Sequence, residues 1–118
     1  MRVVYVAGPY AAPTILGRIR NIVRAWKVAA WVWRQGGVGL CPHAMTALMD
    51  RAAPREAFLQ GDLELLRRAA DAILVLPGWE QSAGTRGEIA EAERLQKPLF
   101  YWPPDQAGLC EWLNDRKE

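Results

Sequence analysis

The stretch DAILVLPGWEQSAGTRGEIAEAE, residues 71 to 93, decides how the rest of the chain is read. Its first seven residues are short, apolar and rich in branched side chains, and predict a buried strand ended by proline and glycine. GWEQSAG follows as a loop, and a helix is predicted from about Thr85 to Leu95. Thr85 stands three residues before Glu88, the Ser/Thr-x-x-Glu spacing of a capping box. The same glutamate, at a glycine-rich helix start behind a strand, is equally placed to be a nucleophile in a cleft. The two readings exclude each other, because a capping glutamate turns back to the Thr85 backbone N–H.

Strand, loop and helix recur on both sides of this stretch. RVVYVAG is a strand ended by glycine, and GPYAAPTILG is a loop. Ile15, Ile19, Ile22, Trp26, Ala30 and Trp33 recur at helical spacing and predict a long amphipathic helix with that stripe in the core. QGG stops it. VGLCP is a second strand, and HAMTALMDRAAP reads as irregular. A helix from Arg55 carries Phe58, Leu59, Leu63, Leu66 and Ala70 as its apolar stripe. KPLFYW is a last strand, and a short helix with a polar end closes the chain. Short apolar strands alternating with helices predict a parallel sheet covered on both faces, with right-handed crossovers. Nothing in the 118 residues reads as a linker, so one domain, 1–118, is expected.

Composition narrows the function. The chain is 51% hydrophobic and 24% charged, which reads as globular and soluble. Arg24 and Lys27 interrupt its longest apolar run, so no membrane span is expected; the N-terminus goes straight into a strand pattern, so no signal peptide is expected and the cytoplasm is the default. A net charge of +2 does not argue for polymeric nucleic acid. The arginines at 18, 20 and 24 and at 67 and 68 read as solvated helix faces or as sites for anionic small molecules. Cys41 and Cys110 match no metal or redox spacing, and His43 is the one histidine, so neither metal nor cofactor is expected. Any acid and base chemistry then rests on carboxylates.

Open parallel sheets bind ligands beyond the carboxyl ends of their strands. Those ends are followed here by Gly8-Pro9-Tyr10, by Pro42-His43, and by the loop holding Trp79, Glu80, Ser82, Gly84, Thr85 and Glu88. These residues are expected along one sheet edge, where glycines at helix starts let backbone N–H groups face an anion. The spacing is neither a dinucleotide fingerprint nor a Walker loop.

VYVAGPY, the spacing from Asp62-Leu63 through Asp71, and LPGWEQSAGTRGEIAEA together resemble the nucleoside 2-deoxyribosyltransferase superfamily. They are most similar to its small DUF4406 branch, which Asn21 also fits. The resemblance spans roughly residues 3 to 101. It implies a flavodoxin-like or Rossmann-like three-layer sandwich with a parallel sheet of four to five strands. It also implies cleavage of an N-glycosidic bond. By position Glu88 falls on the family's nucleophile, Asp62 on the aspartate at the leaving nucleobase, and Tyr5 on the tyrosine beside the nucleophile. Ser82 stands where 2'-deoxynucleoside 5'-phosphate N-hydrolases carry a phosphate-contacting serine, which tilts the substrate towards a nucleoside 5'-monophosphate.

Chemistry supports the same roles. Breaking a nucleoside C1'–N bond builds positive charge on the sugar, which a carboxylate stabilises or captures. The base leaves better if protonated. Glu88 at a helix N-terminus is expected to stay ionised, and a partly buried Asp62 to hold its proton. Gly8, Pro9, Ser82, Gly84, Thr85, His43 and Arg18 are candidate substrate contacts, and Trp79 a platform for the base. Each has a plainer rival: Glu88 as a cap, Asp62 as a solvated helix residue, Tyr5 as core, Ser82 as an N-cap, Trp79 as loop packing, His43 as a loop residue. Apolar residues on two faces of the first helix, with Trp31 beside Val28 and Val32, predict a homo-oligomer, as the resemblance also implies. The competing function is a module that binds a nucleotide or ADP-ribose-like ligand without turnover.

Overall fold

A computed structural model describes residues 1–47 and 49–115. Four strands alternate with helices in the expected order: β1 (Val3–Ala7), α1 (Ile15–Arg34), β2 (Val38–Leu40), α2 (Pro42–Met45), α3 (Arg55–Ala69), β3 (Ala72–Val75), α4 (Ala83–Arg94), β4 (Leu99–Tyr101) and α5 (Gln106–Asn114). A single 3-10 turn, Trp79–Gln81, lies between β3 and α4. The strands form one wholly parallel sheet in the order β2-β1-β3-β4. The segment read as irregular contains the short helix α2; its Leu48 lies outside the described residues, as do residues 116–118 of the polar end.

The period of two along β1 divides the core. Val4 and Val6, with Leu74 and Leu76, face α1 and α5, where Ala25, Val28, Ala29, Val32 and Leu109 meet them. Tyr5 and Ala7, with Ile73 and Val75, face α3 and α4 through Leu66, Ala70, Ile89 and Ala92. This is a three-layer α/β sandwich. α1 lies close enough to β2 that a Cβ on Gly39 would stand 2.4 Å from the Ala29 carbonyl oxygen, so the position admits no side chain. Asp71 ties the strands: its carboxylate accepts from Val3 N at 2.7 Å, and its own N–H donates to Val3 O at 2.8 Å.

The stripe assigned to the core of α1 is turned outward instead. Ile15 is 66% exposed, Ile19 48%, Trp26 58% and Trp33 55%, while Ala25, Val28, Ala29 and Val32 fill the sheet face. Trp31, on the other face, packs edge-on against Trp102 at 5.1 Å. Helical periodicity locates an apolar stripe but does not say which of two stripes meets the sheet. Small residues won because α1 runs so near the strands. Among the described residues no helix is long and apolar enough to cross a membrane.

Candidate active site

Carboxyl ends of β1, β2 and β3 open onto a cavity of about 770 Å³. Its walls come from the loop after β1 (Gly8 to Ile15, with Arg18), from α2 and the chain after it (His43, Thr46, Asp50), from α3 (Arg55, Phe58, Leu59, Asp62), and from the start of α4 (Gln81 to Thr85, with Glu88). So Gly8, Pro9, Arg18, His43, Asp62, Ser82, Gly84, Thr85 and Glu88 are brought together.

The helix carrying Glu88 begins two residues earlier than the sequence spacing suggested. Ser82 is its N-cap: the hydroxyl oxygen accepts from Thr85 N at 3.2 Å and from Thr85 Oγ1 at 2.8 Å. Thr85 is fully buried in the first turn, and Glu88 falls in the second. Glu88 therefore caps nothing. Its Oε2 accepts a hydrogen bond from the Tyr5 hydroxyl, at the centre of the sheet. Tyr5 has no exposed surface, so it is both core and site.

Electrostatics at the cavity floor depart from one expectation and meet another. Burial pushes the Glu88 carboxyl up to about 7; the Tyr5 hydrogen bond opposes this, and Asp62 adds to it. The expected ionised glutamate thus gives way to one that holds a proton near neutrality. The helix dipole acts within the first turn, and Glu88 lies beyond it, where burial strips water from its carboxyl. Burial likewise raises Asp62 to about 6. The Tyr5 phenol is held far above its usual range by burial first, then by the charges of Glu88 and Asp62, so it stays a donor.

On the other side of β1 a second polar group lines the cavity. Arg18 pairs with Asp50 at 3.4 Å, and Asp50 also accepts from the Tyr10 hydroxyl at 3.2 Å. The Tyr10 ring packs on His43 with centroids 5.4 Å apart. Burial brings His43 down to about 4, and the Arg24 charge adds to this; the Gly8 backbone opposes it. Arg24 is fastened to the Pro77 carbonyl at 3.1 Å.

Trp79 and Glu80 are not part of the lining. Trp79 packs against Tyr101 at 5.8 Å, which removes it as a platform for a base. Its 3-10 turn folds it back over the second core layer. Sequence reasoning missed Asp50, Arg55 and the lining role of Phe58 and Leu59. The last two were read as core, and Leu59 is 38% exposed at the cavity's edge. Asp50 lies in a stretch with no periodic signal to place it. Arg67, by contrast, pairs with Glu64 and Glu91, and Arg68 with Glu64, away from the cavity. Among the described residues no three of His, Cys, Asp and Glu cluster as metal ligands.

A family model described as Domain of unknown function (DUF7768) matches residues 2–102. No curated protein matches the chain. A solved structure described as the characterization of 2-deoxyribosyltransferase from the psychrotolerant bacterium Bacillus psychrosaccharolyticus has a similar fold. Its TM-score is 0.60 at 18% sequence identity, over 84% of this chain and 70% of that one.

Proposed function

The chain belongs to the DUF7768 family, which is described only as a domain of unknown function, and from its site we propose that it cleaves the N-glycosidic bond of a nucleoside or 2'-deoxynucleoside 5'-monophosphate. One observation carries the reading: a half-buried glutamate, Glu88, bonded to the fully buried Tyr5 hydroxyl at the floor of a cavity that Asp62 also lines. A carboxyl that only closed a helix would have no cause to turn inward to a buried tyrosine.

In the proposed reaction the pair carries its proton on Asp62, the less populated of its two singly protonated forms, and the ionised Glu88 carboxylate attacks C1' of the sugar. The C1'–N bond breaks, its electron pair goes to the base, and the Asp62 carboxyl gives the base a proton. Water then attacks C1', frees Glu88 and returns a proton to Asp62, leaving the sugar 5'-phosphate. A second base taking the place of water would make the reaction a transfer. Tyr5 orients Glu88 by its hydrogen bond. The Ser82 hydroxyl and the backbone N–H groups opening α4 suit the 5'-phosphate, while the Ser82 oxygen accepts from Thr85. The likeness of the motifs to the DUF4406 branch and to the 2'-deoxynucleoside 5'-phosphate N-hydrolases supports a monophosphate substrate. That a 2-deoxyribosyltransferase shares the fold agrees with sugar–base chemistry. The whole chain would serve as one such domain, acting on free nucleotides in the cytoplasm. The exposed apolar face of α1 supports a dimer or larger assembly.

Base release tests this. The protein is incubated with nucleoside and 2'-deoxynucleoside 5'-monophosphates, with and without a second free base, and liberated base is measured by chromatography. Release that disappears in Glu88→Gln is the expected result. Binding of a nucleotide or of ADP-ribose without release of base would make the protein a ligand-binding module instead.

A further inference from the structure

The strand order gives the proposed substrate a direction. Ser82 and the start of α4 follow β3, Tyr5 with Glu88 stands over β1, and His43 follows β2. β2 and β3 flank β1, so the two ends of this line are roughly 10 Å apart at ordinary strand spacing. A nucleotide with its phosphate at Ser82 and its C1' at Glu88 must point its base towards Tyr10 and His43.

His43 is an unusual neighbour for a base. Its Nδ1 is wholly covered and has no hydrogen-bond partner among the described residues. The Gly8 backbone beside the ring favours its protonated form. Burial and the fixed charge of Arg24 keep the ring neutral. A neutral imidazole with Nδ1–H has only a lone pair at Nε2, the opposite edge.

Resting on the nucleotide reading above, we infer that His43 is a specificity-determining residue, whose Nε2 accepts a hydrogen bond from the exocyclic amino group of adenine or cytosine. Hypoxanthine and uracil present an oxygen at that place. Two lone pairs would then face each other, and neither would be satisfied by the other. Asp50, beside Tyr10, is a second acceptor there and offers the oxo bases nothing. Its carboxylate is already engaged by Arg18 and Tyr10, which leaves the discrimination to His43.

The test is calorimetric binding of four 2'-deoxynucleoside 5'-monophosphates, those of adenine, hypoxanthine, cytosine and uracil. A Glu88→Gln background keeps the bound nucleotide whole. Each amino base should bind about fivefold tighter than its oxo counterpart. His43→Phe keeps a ring against Tyr10 but no acceptor, and should bring both ratios to about one. His43→Gln restores an acceptor and should recover part of the preference. A probe from the ligand side needs no variant at His43: the purine nucleotide with hydrogen at carbon 6 should bind more weakly than the adenine one. Equal binding of amino and oxo bases, or a preference that survives His43→Phe, overturns the inference and leaves the nucleotide reading standing. Absence of binding by all four overturns that reading, and this inference with it.

Discussion

Glu88 is where a single residue's environment yields measurable consequences. Its folded pKa lies near 7, above its ordinary 4.5, so the folded protein holds this proton more tightly than the unfolded chain does. Stability from that source is complete below about pH 4.5 and is lost as pH rises through about 7. Gln is neutral throughout. Glu88→Gln should therefore melt several degrees above the parent protein at pH 8 and beside it at pH 4. Calorimetry at the two pH values checks this, and a helix-capping glutamate would show no such gain. In the proposed reaction the same two carboxyls set the rate. With Asp62 near 6 and Glu88 near 7, one proton is shared by the pair, and kcat/KM for base release should be bell-shaped with limbs close to those values. The Tyr5 hydrogen bond is what holds Glu88 down. Tyr5→Phe should move the alkaline limb to higher pH while the core stays filled; an unmoved limb would mean that the phenol does not act on Glu88.

At the scale of elements, the cavity depends on how α3 and α4 are held at its rim. α3 ends in a cationic clasp. Lys97 Nζ donates to the carbonyls of Leu66 at 2.7 Å, Arg67 at 3.0 Å and Ala70 at 2.5 Å. These include carbonyls that no helical N–H can reach, and they lie at the negative end of the helix dipole. Lys97→Met keeps the stem and removes all three donors. A loss of about 1–3 kcal/mol in urea unfolding is expected; a loss within experimental error would show that water replaces the lysine. At its other face α3 is joined to α4 by Arg67, whose Nε meets Glu91 at 2.6 Å. The sequence left Arg67 and Arg68 as helix-face charges or anion sites, and here they pair with Glu64 and Glu91 on the helix faces. The start of α4 was less legible. Two overlapping Ser/Thr spacings compete there, and the one beginning at Ser82 prevails because Thr85 is buried against the core and Ser82 is free to turn over the first N–H groups.

Across the whole molecule the outward stripe of α1 stands out. Ile15, Ile19, Trp26 and Trp33 run along some 30 Å of a 20-residue helix with nothing packed over them. A face of that kind is expected to be covered in solution by another copy of the chain. Light scattering across a range of concentrations should find a dimer or larger species. Trp26→Glu combined with Trp33→Glu should give a folded monomer, since both rings are exposed on the single chain, with a melting temperature below the parent's and independent of concentration. A parent protein that is monomeric at every concentration would sink this expectation. Ile15 also lines the cavity, so the stripe begins at the cavity's own rim.

The alternation of apolar strands with helices, and the glycine and proline punctuation between them, determined the parallel α/β sandwich and the edge at which its polar residues collect. These are local signals, repeated at a fixed period, and they survive without knowledge of any contact. Ser82 and Glu88 were also legible at that edge, because strand ends in such a sheet converge by topology alone, whereas Tyr5 and Asp62 were named only through the family resemblance. Three things were decided only by tertiary packing. Which stripe of α1 meets the sheet depended on how closely β2 approaches, a distance set at Gly39 and Ala29. Whether Trp79 faces the cavity depended on Tyr101, a residue more than twenty positions away on another strand. The protonation of Glu88 and His43 depended on burial, which belongs to the folded molecule, so a sequence that names the titrating groups cannot by itself say at what pH they change charge.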